Sequence, residues 1–148
     1  MAYVKNWLHC VWGTKNRIPY LSEKTKSLIF DHIVQNAKSK GIYIKSINGS
    51  NEHIHCLLSL DPDKSLSYVI QLIKGEASFW INRNKLIKYK FEWAEEYYAV
   101  SVSESDIPKI RKYIDNQKEH HRMKSWDEEC RELMKEYGFE KFPGLSPQ

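Results

Sequence analysis

The dipeptide Asn48-Gly49 lies between two runs that alternate like β-strands, and it constrains the fold more than any other short feature. Asn-Gly is a hairpin signal because the tight turns that match strand twist need residues tolerant of a left-handed backbone. It predicts one strand over 42–48, with Ile42 and Ile44 alternating. It predicts a second over about 53–60, His-Ile-His-Cys-Leu-Leu-Ser-Leu, broken by Asp61-Pro62-Asp63. Upstream, residues 7–14 read as a strand ended by Gly13, followed by the basic loop Lys15-Asn16-Arg17-Ile18-Pro19. Ser22 is placed to cap a helix over about 23–40, with Leu28, Ile29, Ile33, Val34 and Ala37 as its stripe and Gly41 as its stop.

Downstream, Ser65 is placed to cap a helix through about 82 that turns Leu66, Val69, Ile70, Ile73, Ala77 and Trp80 inward. Residues 83–95 are irregular, basic and aromatic, and 97–103 form a fourth strand. Ser105 or Asp106 begins a third helix, with Pro108 in its first turn, running to about 122; a short helix over about 126–137 and a loose tail over 138–148 follow. The order β-α-β-β-α-β predicts an α+β, ferredoxin-like (RRM-like) antiparallel sheet with helices on one face, plus C-terminal helices. With 148 residues, we expect a single domain over 1–148 and an ordered core over about 7–137.

Charge and cysteine content narrow the function class. The net charge is +4, concentrated at the front: residues 1–50 carry eight Lys/Arg against Glu23 and Asp31. This basic third and the cluster Arg83, Lys85, Lys88, Lys90 suit a phosphate backbone, although a solvated face has the same composition. Three cysteines, Cys10, Cys56 and Cys130, fit neither a disulfide frame nor a zinc site and read as reduced thiols in a cytoplasmic protein. No apolar run is long enough to span a bilayer and no signal peptide is evident, so no membrane partner is expected.

The residues that bear chemistry fall on two of these elements. A strand repeats its side-chain direction every second residue, so His53 and His55 share a face. A helix brings residues four apart together, so Tyr113 and Gln117 share one as well, along the edge of the stripe Ile107, Ile110, Ile114. Two imidazoles and a carboxamide oxygen are a donor set for a divalent metal, and a phenol beside it suits attack on a metal-polarised phosphodiester. Each half has a plain alternative: hydrogen-bonded core histidines, and a core tyrosine with a wet hydroxyl. His121, one further helical turn along, is a further ligand, a phosphate contact or a surface histidine. For DNA contact, Lys15, Arg17, Lys74 and Arg83 are candidates, and Trp80 is a stacking or core residue.

These motifs occur together in a recognisable order. The segments are His9-Cys-Val-Trp-Gly-Thr-Lys15-Asn-Arg17-Ile-Pro19, Asn51-Glu52-His53-Ile54-His55, Lys74-Gly-Glu-Ala-Ser78-Phe-Trp-Ile-Asn82, Phe91-Glu-Trp93 and Tyr98-Ala-Val-Ser-Val-Ser. The last is Tyr113-Ile-Asp-Asn116-Gln117-Lys-Glu-His120-His121-Arg122. From about residue 7 to 137 the chain resembles the single-tyrosine HUH transposases of small bacterial insertion sequences, the insertion sequence 200/605 type. The resemblance implies that Tyr113 attacks single-stranded DNA to give a 5′-phosphotyrosine link and a free 3′-OH. It implies that His53, His55 and Gln117 bind Mg²⁺ or Mn²⁺, and that the element ends are DNA hairpins. It further implies a homodimer whose composite sites join the histidines of one subunit to the tyrosine helix of the other. The chain departs from the pattern at Asn51-Glu52, where many relatives have Pro-Asp, and at Glu96-Tyr97, where relatives often carry Gly.

Two other classes compete. A non-catalytic or domesticated hairpin-binding protein on the same fold would bind DNA without a covalent adduct and would have no use for a nucleophile. A nucleotide hydrolase with alternating histidines would need a third at position 57, which is Leu.

Overall fold

The computed structural model describes residues 2–117 together with positions 125, 128, 129, 131, 132 and 135. Its elements are β1 (Trp7–Gly13), α1 (Glu23–Ser39), β2 (Tyr43–Gly49), β3 (His53–Ser59), α2 (Leu66–Arg83), β4 (Tyr98–Val102) and α3 (Ile107–Asp115), with one-turn 3₁₀ segments at Lys15–Arg17 and Glu104–Asp106. The strands form one antiparallel sheet in the order β2-β3-β1-β4. The α+β, ferredoxin-like expectation is met.

Local chemistry sets the helix ends. The Ser22 hydroxyl accepts from the Thr25 amide, and the Ser65 hydroxyl from the Tyr68 amide, each satisfying a donor that the first helical turn leaves over. Gly41 follows α1 at φ 74°, a left-handed position that a side chain would strain.

Sheet alternation then sorts the side chains onto two faces. Cys10, Trp12, Ile54, Cys56 and Leu58 point to one side, where Ile29, Phe30 and Ile33 of α1 and Val69, Ile70, Ile73, Ala77 and Ile81 of α2 cover them. Each large apolar side chain so buried contributes roughly 1.5–3 kcal/mol. On the other face Trp7 and Leu57 pack against Ile107 and Ile114 of α3. With helices on both sides, β3 is buried almost along its whole length. This explains how polar histidines come to lie in an otherwise apolar run: their face is closed by the tyrosine-bearing helix.

Several details differ from the sequence expectation. The Asn48-Gly49 hairpin exists, but the turn is residues 50–52, and Gly49 is the last residue of β2, opposite Ile54. A Cβ on Gly49 would stand 2.1 Å from the His53 carbonyl oxygen, so close backbone approach, and not turn geometry, requires glycine there. Asn48 instead reaches α3: its side-chain amide donates to the Ile114 carbonyl at 3.0 Å and to that of Asp115 at 3.3 Å, occupying acceptors the helix end leaves over. In α1, Phe30 replaces Leu28 in the buried stripe, and Leu28 is exposed. Trp80 is only partly buried, its ring stacked on His32 at 3.8 Å.

The third helix was expected to reach about 122, but α3 ends at Asp115 with Asn116 as its C-cap; residues 118–122, and His121 with them, lie outside the described residues. Of the helix expected over 126–137, positions 128, 129, 131, 132 and 135 are described and are helical. The tail over 138–148 also lies outside them. Among the described residues, no helix is long and apolar enough to cross a membrane. Cys10 and Cys56 are free, buried and directly opposed across β1 and β3; Cys130 is not among the described residues.

Candidate metal centre and nucleophile

His53 and His55 are fully buried on the α3 side of β3, and each ring has one nitrogen tied down. Nδ1 of His53 is 2.8 Å from the Ser50 hydroxyl, in the turn that precedes it. Nδ1 of His55 is 2.9 Å from Nε2 of His9, a buried residue of β1 whose ring stacks on that of His55. Burial, and next the neighbouring His55, push the His9 imidazole down to about 3 against the upward pull of Glu129, so His9 is neutral and its Nε2 is able to accept a proton donor. Both metal-type histidines therefore present Nε2 to the same space, with their outer nitrogens held as ligand histidines are usually held.

That space is lined from α3 and from the C-terminal segment. Oε1 of Gln117 is 3.4 Å from Nε2 of His53, and the Gln117 amide donates back to the Tyr113 carbonyl at 3.3 Å. Asn48 and Ser46 of β2 hold the C-terminal end of α3 where it approaches the histidines; the Ser46 hydroxyl donates to Asp115 at 3.2 Å. The Tyr113 ring stands edge-on to His55, with centroids 5.5 Å apart. The four groups read from the sequence, His53, His55, Tyr113 and Gln117, thus meet, and they do so within one chain.

A fifth group was not foreseen. The Glu129 carboxylate is buried among them: Oε1 lies 3.1 Å from Nε2 of His55, Oε2 lies 3.5 Å from Nε2 of His53, and the Tyr113 hydroxyl donates to Oε1. Burial raises the Glu129 carboxyl, but hydrogen bonds from His53 and His55 together with their charge outweigh it and hold the group well below the usual carboxylate range. It is therefore anionic.

The donor set fits a divalent cation. One donor atom each from His53, His55 and Glu129 lies within 4.8 Å of the others. Two adjacent ligands on one octahedral ion with bonds of about 2.1 Å stand about 3 Å apart, close to the observed separations. The oxygens of Glu129 and Gln117 give a hard cation such as Mg²⁺ or Mn²⁺ the partners it prefers, and the imidazoles are acceptable to Mn²⁺.

The basic candidates divide by position. Lys15 and Arg17 occupy the loop after β1, whose Thr14 amide donates to the Glu52 carbonyl at 2.8 Å, so they flank the end of the sheet where His53 begins. Lys15 pairs with Glu92 at 3.1 Å, and Asn16 and Arg17 have left-handed backbones at φ 56° and 57°. Lys74 and Arg83 lie on α2, which packs against the opposite face of the sheet. The Lys74 ammonium donates to the carbonyls of Ala94 at 2.6 Å and Glu95 at 3.2 Å, fastening the 84–97 loop, and Arg83 lies over the Phe79 ring at 5.9 Å.

Comparison with known proteins bears on the fold and the family. The chain is 24% identical over 118 residues to the ISDra2 transposase TnpA of Deinococcus radiodurans, covering 74% of this chain and 81% of that protein. A crystal structure of a candidate transposase from Deinococcus radiodurans R1 superposes with a TM-score of 0.63 at 23% identity, over 79% of this chain and 95% of that one. A REP-associated tyrosine transposase bound to a REP hairpin superposes with a TM-score of 0.62 at 18% identity, over 82% of this chain and 72% of that one. Residues 2–117 match the model of the family described as Transposase IS200 like, and the chain belongs to that family.

Proposed function

We propose that this transposase cuts and rejoins single-stranded DNA at hairpin-marked ends, with Tyr113 as nucleophile and a divalent cation, Mg²⁺ or Mn²⁺, held by His53, His55 and Gln117. The observation that carries the reading is the convergence of Tyr113 and Gln117 with Nε2 of both histidines in one buried place. A phenol with an unperturbed pKa of about 10 is a weak nucleophile at neutral pH. The cation would supply Lewis-acid polarisation of the phosphodiester. Tyr113 forms the bond from its phenol oxygen to phosphorus; the bond from phosphorus to the 3′ oxygen breaks, and the phenol proton ends on that oxygen as a 3′-OH. The phosphotyrosine link keeps the energy of the phosphodiester, so a 3′-OH can later reverse the step without ATP.

Hairpin DNA as the partner rests on family membership and on the hairpin that a structural relative binds. Lys15 and Arg17, at the His53 end of the sheet, are the nearer phosphate contacts in this reading, and Lys74 and Arg83 serve more distant parts of the strand. His121 is proposed as a further metal or phosphate contact.

A homodimer is proposed from the resemblance, but the geometry supports sites completed within each subunit. Mixing His53→Ala with Tyr113→Phe tests that point, since shared sites would restore activity and self-contained sites would not. The chemistry is tested by incubating the protein with labelled single-stranded hairpin DNA and Mn²⁺. The reading expects an adduct that survives denaturation and is lost with chelator or Tyr113→Phe. Tight binding of several hairpin ends without any adduct would instead identify a non-catalytic binding protein.

A further inference from the structure

We propose that Glu129 is an exchangeable ligand: it fills the cation's coordination in the DNA-free protein and stands where the scissile phosphate must enter, so substrate binds by displacing it. The inference rests on the reading that His53, His55 and Gln117 hold a divalent cation beside Tyr113.

The geometry is specific. In-line attack requires the phenol oxygen about 3–3.5 Å from phosphorus, while a non-bridging phosphate oxygen faces the cation. The scissile phosphate must therefore lie between the tyrosine hydroxyl and the Nε2 atoms of the histidines. Glu129 lies there: Oε1 accepts from the Tyr113 hydroxyl and is 3.1 Å from Nε2 of His55, while Oε2 is 3.5 Å from Nε2 of His53. A carboxylate is a planar anion with two oxygens, and it makes toward nucleophile and ligands the contacts expected of a phosphate. The two anions cannot share that volume. Replacing one carboxylate oxygen by one phosphate oxygen leaves the charge around the cation the same, so the exchange costs little electrostatically. Glu129 is 3% exposed, so its place is within the site and not at its rim.

Exchange makes two predictions, and the second is one that a permanent ligand does not make. In the DNA-free protein, Glu129→Gln removes an anionic ligand and weakens Mn²⁺ binding, measured by calorimetry. In the Mn²⁺-loaded protein, the same change tightens binding of a single-stranded oligonucleotide by about fivefold or more, because the competitor is gone. The DNA arm is run in a Tyr113→Phe background so that no covalent link forms. Glu129→Ala must show the same signs, and Glu128→Gln, an exposed neighbour, must leave both affinities unchanged. With Tyr113 intact, Glu129→Gln is expected to form the covalent adduct faster than the unsubstituted protein.

Weaker binding of both Mn²⁺ and DNA would make Glu129 a permanent ligand and overturn the proposal. Unchanged affinities, or an equal effect from Glu128→Gln, would also overturn it. If the two affinities shift as expected but no variant and no unsubstituted protein forms an adduct, the exchange stands and the nucleophile assignment fails.

Discussion

His9 gives the most informative single substitution, because it touches neither the proposed cation nor DNA. Its Nε2 lies 2.9 Å from Nδ1 of His55; with a cation on Nε2 of His55 the ring's proton is on Nδ1, and His9 is then the acceptor that orients it. His9→Leu keeps the side chain of similar size but makes it apolar, removing the acceptor from a site that is 1% exposed. Leaving a buried donor unsatisfied costs about 1–3 kcal/mol in stability. Loss of such an orienting partner lowers metal affinity by about 10–100-fold, equivalent to about 1.4–2.7 kcal/mol. His9→Gln restores a carbonyl oxygen near the same place and should recover most of the affinity. The assay is Mn²⁺ titration calorimetry on the three proteins, with thermal melts to confirm that each is folded. Equal Mn²⁺ affinity in folded His9→Leu, or no recovery in His9→Gln, would refute the orienting role.

Three further outcomes follow from the packing. Asn48→Ala removes two bonds to the end of α3 and should cost about 1–2 kcal/mol, with a lower adduct rate because Tyr113 and Gln117 lose their anchor; denaturant titration and adduct kinetics check it. Gly49→Ala forces its Cβ against the His53 carbonyl, which must move, and is expected to destabilise by about 1–3 kcal/mol and to weaken Mn²⁺ binding, as chemical denaturation and calorimetry would show. Burial pushes the Cys10 thiol up to about 12 and Cys56 upward as well, so in a Cys130→Ser background a thiol reagent at neutral pH should label neither until the protein is unfolded. Rapid labelling of the native variant would mean that β1 and β3 are not covered as described.

How far the sequence could be read depended on whether a residue's role was local. His53 and His55 could be paired because strand alternation alone puts them on one face, and Tyr113 and Gln117 because helical spacing does the same. That the two pairs would meet followed only from the family resemblance, since nothing in either segment says where α3 packs. Asn48 illustrates a local rule overridden: its type and neighbour signal a turn, yet its amide serves a helix far along the chain. Arg17 has a left-handed backbone that nothing in its residue type signals.

Glu129 was missed because it stands in the acidic stretch Asp127-Glu128-Glu129, where nothing distinguishes one carboxylate by charge. A signal existed nonetheless. Helical spacing places Glu129 on the same stripe as Trp126, Cys130 and Leu133, and a carboxylate among apolar positions needs a buried partner. His9 carries a similar mark, sharing the face of Trp7 and Val11 in a strand whose outward positions are apolar too.

The most direct test of the central claim is to locate the covalent bond. Protein incubated with Mn²⁺ and single-stranded hairpin DNA is digested with nuclease and protease, and peptides carrying a nucleotide remnant are sequenced by mass spectrometry. The account predicts a 5′-linked nucleotide on Tyr113 and on no other residue. A remnant on a different residue, or a cleaved strand with no remnant on any peptide, would contradict it.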